Sequence, residues 1–199
     1  MSARPTLRSL TGARAEALAL SQTALVLIDC QQTYREGVMA LDGVEPALEE
    51  AAALLARARA AGAPIIHIRH DAGAGSPYDV SAPIGQIAAP VAPLGEEPVV
   101  TKNYPSSFEK TELDTLLKDL GVSKLTLAGF MTHMCVNSTA RAAFNHGYDV
   151  QVVATATATR ALPDPRGGEI ASAAVHASAL AAIGDLFGSV AATAADLPD

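Results

Sequence analysis

Positive charge is in short supply in this 199-residue chain: 14 lysines and arginines stand against 21 acids, a formal net charge of -7 at pH 7. A nucleic-acid partner is disfavoured, because neutralising phosphates needs a surplus of basic surface. Cysteine is also scarce. Cys30 and Cys135 are the only two, too few for a disulfide framework at this length, and a reducing cytoplasm fits best. No apolar run approaches the roughly 18 residues of a membrane span, and no signal-peptide core precedes the first charged segment. Aromatics are few, with no tryptophan, four phenylalanines and four tyrosines.

What the chain does have is a core. A hydrophobic content of 49% over 199 residues predicts one globular domain over 21–199. Residues 1–20 read as a polar N-terminal arm, with Arg4, Arg8 and Arg14 and no acid in its first fifteen positions. The arm is expected to pack on a neighbouring subunit of a homo-oligomer, a dimer or tetramer.

Apolar, β-branched runs at Thr23–Asp29, Ala63–His70, Pro98–Lys102, Lys124–Phe130 and Asp149–Ala154 predict strands. Glu45–Ala61 and Thr111–Leu120 read as amphipathic helices, with Gly62 and Gly121 placed as C-terminal caps. Further helices are predicted over Cys135–Gly147 and about Gly168–Ile183, followed by a short strand near Val190. This alternation predicts an α/β fold: a three-layer α/β/α, Rossmann-like arrangement with a mainly parallel sheet of five or six strands and helices on both faces. The least regular stretch, Asp71–Glu97, is rich in Gly, Pro and Ser and long enough for a functional loop rather than a simple connector.

Ligands of such sheets bind outside the carboxyl ends of the strands. Asp29 and Lys102 end two of the predicted strands, and Cys135 follows a third after a short turn, so an acid, a base and a thiol converge on one edge. A cysteine at a helix start faces unpaired N–H groups and the positive end of the helix dipole, which lowers its pKa. Cys135 is then a candidate nucleophile, Asp29 the group that takes its proton and returns it to a leaving amine, and Lys102 the cation that steadies both. Singly, each has a plainer reading: a buried small hydrophobe, a turn former and a solvated charge.

Three ordered motifs carry a resemblance. LVLIDCQQTY holds Asp29, Gln31 and Tyr34 in a D-x-Q-x-x-[FY] pattern; PVVTKNYPSSF holds Lys102, Ser107 and Phe108; GFMTHMCVNSTARAAFNHGYDV holds Gly129, Thr132 and Cys135 in a G-x-x-T-x-x-C pattern. In these, and over nearly its whole length, the chain resembles the isochorismatase-like cysteine hydrolase superfamily. The resemblance implies an Asp29, Lys102, Cys135 catalytic triad, a cis Phe130–Met131 peptide bond, and an oxyanion hole from the N–H groups of Met131 and Cys135. The activity it implies is a cysteine-dependent amidohydrolase that cleaves a C–N bond of a small amide, imide or lactam through a thioester. Two other functions stay open: an isochorismatase-type vinyl-ether hydrolase, which needs no nucleophilic cysteine, and a non-catalytic oligomeric module that binds a small ligand.

Nicotinamidases, within that superfamily, hold a divalent metal through an Asp-x-His pair and a later His. Here Asp71 leads only to Ala72 and Gly73, and His67 and His70 stand at odd spacing on one strand, facing opposite sides. No metal and no other cofactor is expected, and nicotinamide is disfavoured as substrate. Gln31, Tyr34, Tyr78, Phe108 and His133 are candidates for the substrate pocket. The Gly73–Ser76 stretch reads as loop rather than phosphate cradle, since Pro77 follows and no helix begins there. His146 and His176 read as structural, and Cys30 as inert on the opposite strand face from Asp29.

Overall fold

The computed structural model describes residues 4–12 and 16–199. Arg14 and the rest of 13–15 lie outside the described residues, as do 1–3. In chain order the elements are α1 (Leu7–Leu10), β1 (Ala24–Ile28), α2 (Val44–Ala60), β2 (Ile65–His70), β3 (Val99–Lys102), α3 (Leu113–Asp119), β4 (Lys124–Phe130) and α4 (Asn137–Asn145). There follow β5 (Asp149–Ala158), a small hairpin of β6 (Leu162–Pro163) and β7 (Glu169–Ile170), α5 (Ser172–Ala182) and β8 (Ser189–Ala191).

Six strands form one parallel sheet in the order β3-β2-β1-β4-β5-β8. Every residue of β1 is buried, as a central parallel strand covered on both faces requires. Leu25 and Leu27 join a cluster with Leu48, Leu54 and Leu55 of α2, whereas Val26 and Ile28 join Leu113 and Leu117 of α3 and Ala140 of α4. This period-2 division of one strand between two helical layers is what makes three layers. Strand order reverses direction between β1 and β4, which is the switch point where such sheets open a crevice.

Local chemistry sets the details near that point. Gly129 has φ +115°, and a Cβ there would stand 2.0 Å from the Ile28 carbonyl oxygen, so only glycine lets β4 lie this close to β1. The pairing of β4 with β5 shifts register between Leu127 and Gly129. The Phe130–Met131 peptide bond is cis.

Several expectations change. Strand β5 runs four residues beyond Ala154, through small and polar Thr155–Ala158, whose lack of bulky apolar residues hid it. The helix expected from Gly168 begins at Ser172, because Gly167 and Gly168 take positive φ and close the β6–β7 hairpin. The stretch 71–97 is tied down by two 3-10 turns, an Ile87–Gln31 bridge and a close contact at Gly85, where a Cβ would meet Asp79 backbone at 2.1 Å. In the described part of the arm, the Leu7 N–H donates to Asp185 and Arg8 pairs with Asp149. Among the described residues, no helix is long and apolar enough to cross a membrane.

Candidate active site

Asp29 follows β1 with φ +51°, a left-handed conformation that Asp tolerates better than most residues. Its N–H donates to the Ile68 carbonyl at 3.0 Å and its own carbonyl accepts from Gln31 N–H at 2.7 Å, which fixes the turn. Lys102 ends β3, two strands away, with His70 of β2 as its register partner in between. Its long side chain crosses that gap. The ammonium lies 2.7 Å from Asp29 Oδ2 and donates to Cys135 Sγ at 3.4 Å and to His70 Nδ1 at 3.2 Å. The ammonium thus has one ion-pair partner and two hydrogen-bond partners.

Asp29, Lys102 and Cys135 are therefore brought together, and all three are buried. Burial works to lower the Lys102 pKa, but the charges of Asp29 and Cys135 outweigh it and hold the ammonium above the usual lysine range. His70 is pushed the other way by burial and by the Lys102 charge, so it stays neutral and can accept at Nδ1. Cys135 departs from expectation. Burial first, then the Asp29 charge, push its thiol up to about 12 against the opposing pull of Lys102. Cys135 sits inside a wide π-type turn, Thr132–Val136, ahead of α4 rather than at its open N-terminus.

That turn also shapes the backbone. The Met131 carbonyl accepts from Met134 and Val136 N–H at 3.0 and 3.2 Å, skipping the Cys135 N–H between them. The Met131 N–H donates to no backbone carbonyl among the described residues. Thr132 is held by His176 of α5, Oγ1 to Nδ1 at 3.0 Å.

The pocket candidates separate. Tyr34 packs edge-on against Tyr78 and Phe130 with ring centroids 5.8 and 5.7 Å apart. Both tyrosines feel the charges of Asp29 and Cys135, which, after burial, help to raise their pKa values. Tyr78 also meets the His70 ring edge-on at 5.0 Å. His133 lines the same sheet edge, its Nδ1 bonded to Thr159 Oγ1. Gln31 is not free to touch a ligand through its N–H donors: Nε2 donates to the carbonyls of His70 and Gly85, and Oε1 accepts the His70 N–H. It braces the 71–97 stretch to β1 and β2. Phe108 stacks on His146 at 4.9 Å and lies 5.7 Å from Tyr148, at the far end of α4. Its ring belongs to the core beneath α3 and α4 rather than with the two tyrosines.

The nicotinamidase-type metal does not fit these residues. His67 Nε2 is taken by Glu97 at 2.9 Å and His70 Nδ1 by Lys102, and no group of three or more His, Cys, Asp or Glu could hold an ion among the described residues. A groove of about 800 Å³ lies elsewhere, between α2, β5 and α5, lined by Asp42, Glu49, Glu50, Thr157 and His176. Sequence reasoning considered His70 only as a metal ligand; a histidine at the end of the strand between Asp29 and Lys102 was the signal available for its place beside the ammonium.

Comparison with known proteins bears on this arrangement. The model of the isochorismatase domain matches residues 23–194. A secreted isochorismatase effector of Verticillium dahliae is 34% identical over 184 residues, covering 92% of this chain and 94% of the relative. A maleamate amidohydrolase of Pseudomonas putida is 34% identical over 147 residues, covering 65% and 69%. The crystal structure of an isochorismatase from Pseudomonas putida superposes with a TM-score of 0.94 at 37% identity, over 98% of this chain and 100% of that one. Agreement in motif, topology and length leads to one conclusion, that the chain belongs to the isochorismatase family of hydrolases.

Proposed function

We propose that the protein is an amidohydrolase that cleaves the C–N bond of a small amide, imide or lactam through a thioester on Cys135. The observation that carries this reading is the Lys102 ammonium in contact with both the Asp29 carboxylate, at 2.7 Å, and the Cys135 sulfur, at 3.4 Å. The kinship with an amidohydrolase supports it.

With burial and the Asp29 charge pushing the Cys135 thiol up, the roles follow from its need for a base. As Cys135 Sγ attacks the carbonyl carbon, its proton passes to Asp29, and the C=O electron pair moves onto oxygen. The N–H groups of Met131 and Cys135 receive that oxyanion. Asp29 then gives the proton to the leaving nitrogen, the C–N bond breaks, and ammonia or an amine departs from a thioester. Water attacks the thioester, Asp29 takes the water proton, and collapse releases the carboxylic acid and a thiolate that Asp29 reprotonates. Lys102 keeps its charge throughout and offsets the negative charge that moves between Asp29 and Cys135. Neutral His70 fixes the ammonium from its third side. Tyr34, Tyr78 and His133 form the walls that hold the substrate. The test is a panel of amides, imides and lactams read by ammonia or amine release, with Cys135→Ala as the control. Turnover that survives Cys135→Ala at near-native rates contradicts the reading and favours vinyl-ether hydrolysis or another route.

A further inference from the structure

Helix α5 holds the nucleophile turn at both ends. Thr132, the first residue of the turn Thr132–Val136, is fully buried, and its Oγ1 lies 3.0 Å from His176 Nδ1. Asn137, the residue after the turn, donates from Nδ2 to the Ala179 carbonyl at 3.1 Å. His176 and Ala179 stand three positions apart in α5, so both contacts come from one side of that helix. Cys135 lies between the two pinned ends.

The two contacts differ in what they transmit. Threonine is stiff at χ1, so a fixed Oγ1 fixes the backbone that bears it. That backbone shares a peptide plane with Met131, whose carbonyl accepts from Met134 and Val136 N–H at 3.0 and 3.2 Å and leaves the Cys135 N–H between them clear. A continuous series therefore runs from the imidazole to the Thr132 hydroxyl, to the Met131 carbonyl, and to the amides on either side of Cys135. Asn137 already begins α4, and its Oδ1 is taken by Arg141 Nε at 2.6 Å. It secures the helix, whereas His176 secures the turn.

We propose that His176 is a positioning residue for the reaction, acting through Thr132 to hold the turn so that the N–H groups of Met131 and Cys135 meet the developing oxyanion. This deepens the amidohydrolase reading and rests on it. Charge on that oxygen forms only as the transition state is approached, so a loosened turn should cost kcat and spare substrate binding. The walls Tyr34 and Tyr78 belong to other segments of the chain.

The bond can be removed from either end. His176→Leu deletes the imidazole, and Thr132→Val deletes the hydroxyl at nearly constant shape; both are compared with the double variant on the most rapidly cleaved amide of the panel, with folding checked by circular dichroism. Each single variant should lower kcat roughly tenfold or more, as small misplacements at a reacting centre do, with KM within about twofold of the wild type. The double variant should be no slower than the slower single, because both remove one contact. His176→Asn, whose amide reaches the place of Nδ1, should recover much of kcat. Hydrogen–deuterium exchange of the peptide spanning 131–137, read without substrate, should quicken in both single variants and return towards the wild type in His176→Asn. Native kcat in both singles, losses that multiply in the double variant, a loss carried by KM alone, or unchanged exchange overturns the proposal. If His176→Leu fails to fold, Thr132→Val and His176→Asn decide by the same criteria. If no amide of the panel is cleaved, the amidohydrolase reading fails by itself, and the hold of His176 on the turn is decided by the exchange of 131–137.

Discussion

Lys102 Nζ lies 2.7 Å from Asp29 Oδ2, and neither side chain has any exposure to solvent. Breaking such a pair from one side leaves a buried charge with no partner, which costs about 3–5 kcal/mol. Lys102→Met should therefore lower unfolding free energy by about 3 kcal/mol, and pairing it with Asp29→Asn should restore much of that loss. Urea denaturation of the two single variants and the double variant measures the coupling. Strictly additive losses would show that the pair is not one electrostatic unit.

The same pair governs the thiol. With Cys135 pushed up to about 12 by burial and by Asp29, iodoacetamide at pH 7.5 should alkylate it more slowly than free cysteine, with a rate that climbs as pH rises. Removing the Asp29 charge leaves Lys102 to favour the thiolate. Asp29→Asn should then alkylate faster than the wild type while losing turnover, and Lys102→Met should alkylate more slowly. Cys30, buried with its own thiol raised, should stay unmodified in all three. Peptide mapping by mass spectrometry gives each rate.

Acid should destabilise the fold in two stages. Burial depresses the pKa of His67 despite its bond to Glu97, so the unfolded chain takes up that proton first. Stability from this group is full above pH 6.5 and is lost as pH falls through the lower folded value. Glu97 is held at about 2 chiefly by its bond from Arg59. Its contribution is full above about pH 4.5 and drains away as pH falls towards 2. Unfolding free energies from pH 7 to pH 3 should fall in both windows, and Glu97→Gln should flatten the lower one. A profile unchanged by Glu97→Gln would count against the Arg59–Glu97–His67 cluster as the cause.

Much of this was legible in the chain because apolar periodicity is set locally. The runs at 24–28, 65–70 and 124–130 are strands because both of their faces are covered, and such faces write themselves into sequence. The convergence of Asp29, Lys102 and Cys135 on one edge followed from strand ends alone. What depended on packing was hidden. The thiol's pKa turns on burial and on the Asp29 charge, neither of which a helix-start argument contains. Gln31 and Phe108 occur in motifs beside the site, yet one is spent on backbone bonds and the other lies against His146.

The central claim is that Cys135 carries the acyl group. Rapid acid quench of the enzyme during turnover of a slowly hydrolysed amide, followed by intact-mass and peptide mass spectrometry, tests it directly. An adduct on Cys135 equal to the substrate less its leaving amine, absent in Cys135→Ala, is the predicted result. Amine release at full rate with Cys135 unmodified at every time point, and undiminished in Cys135→Ala, would contradict it.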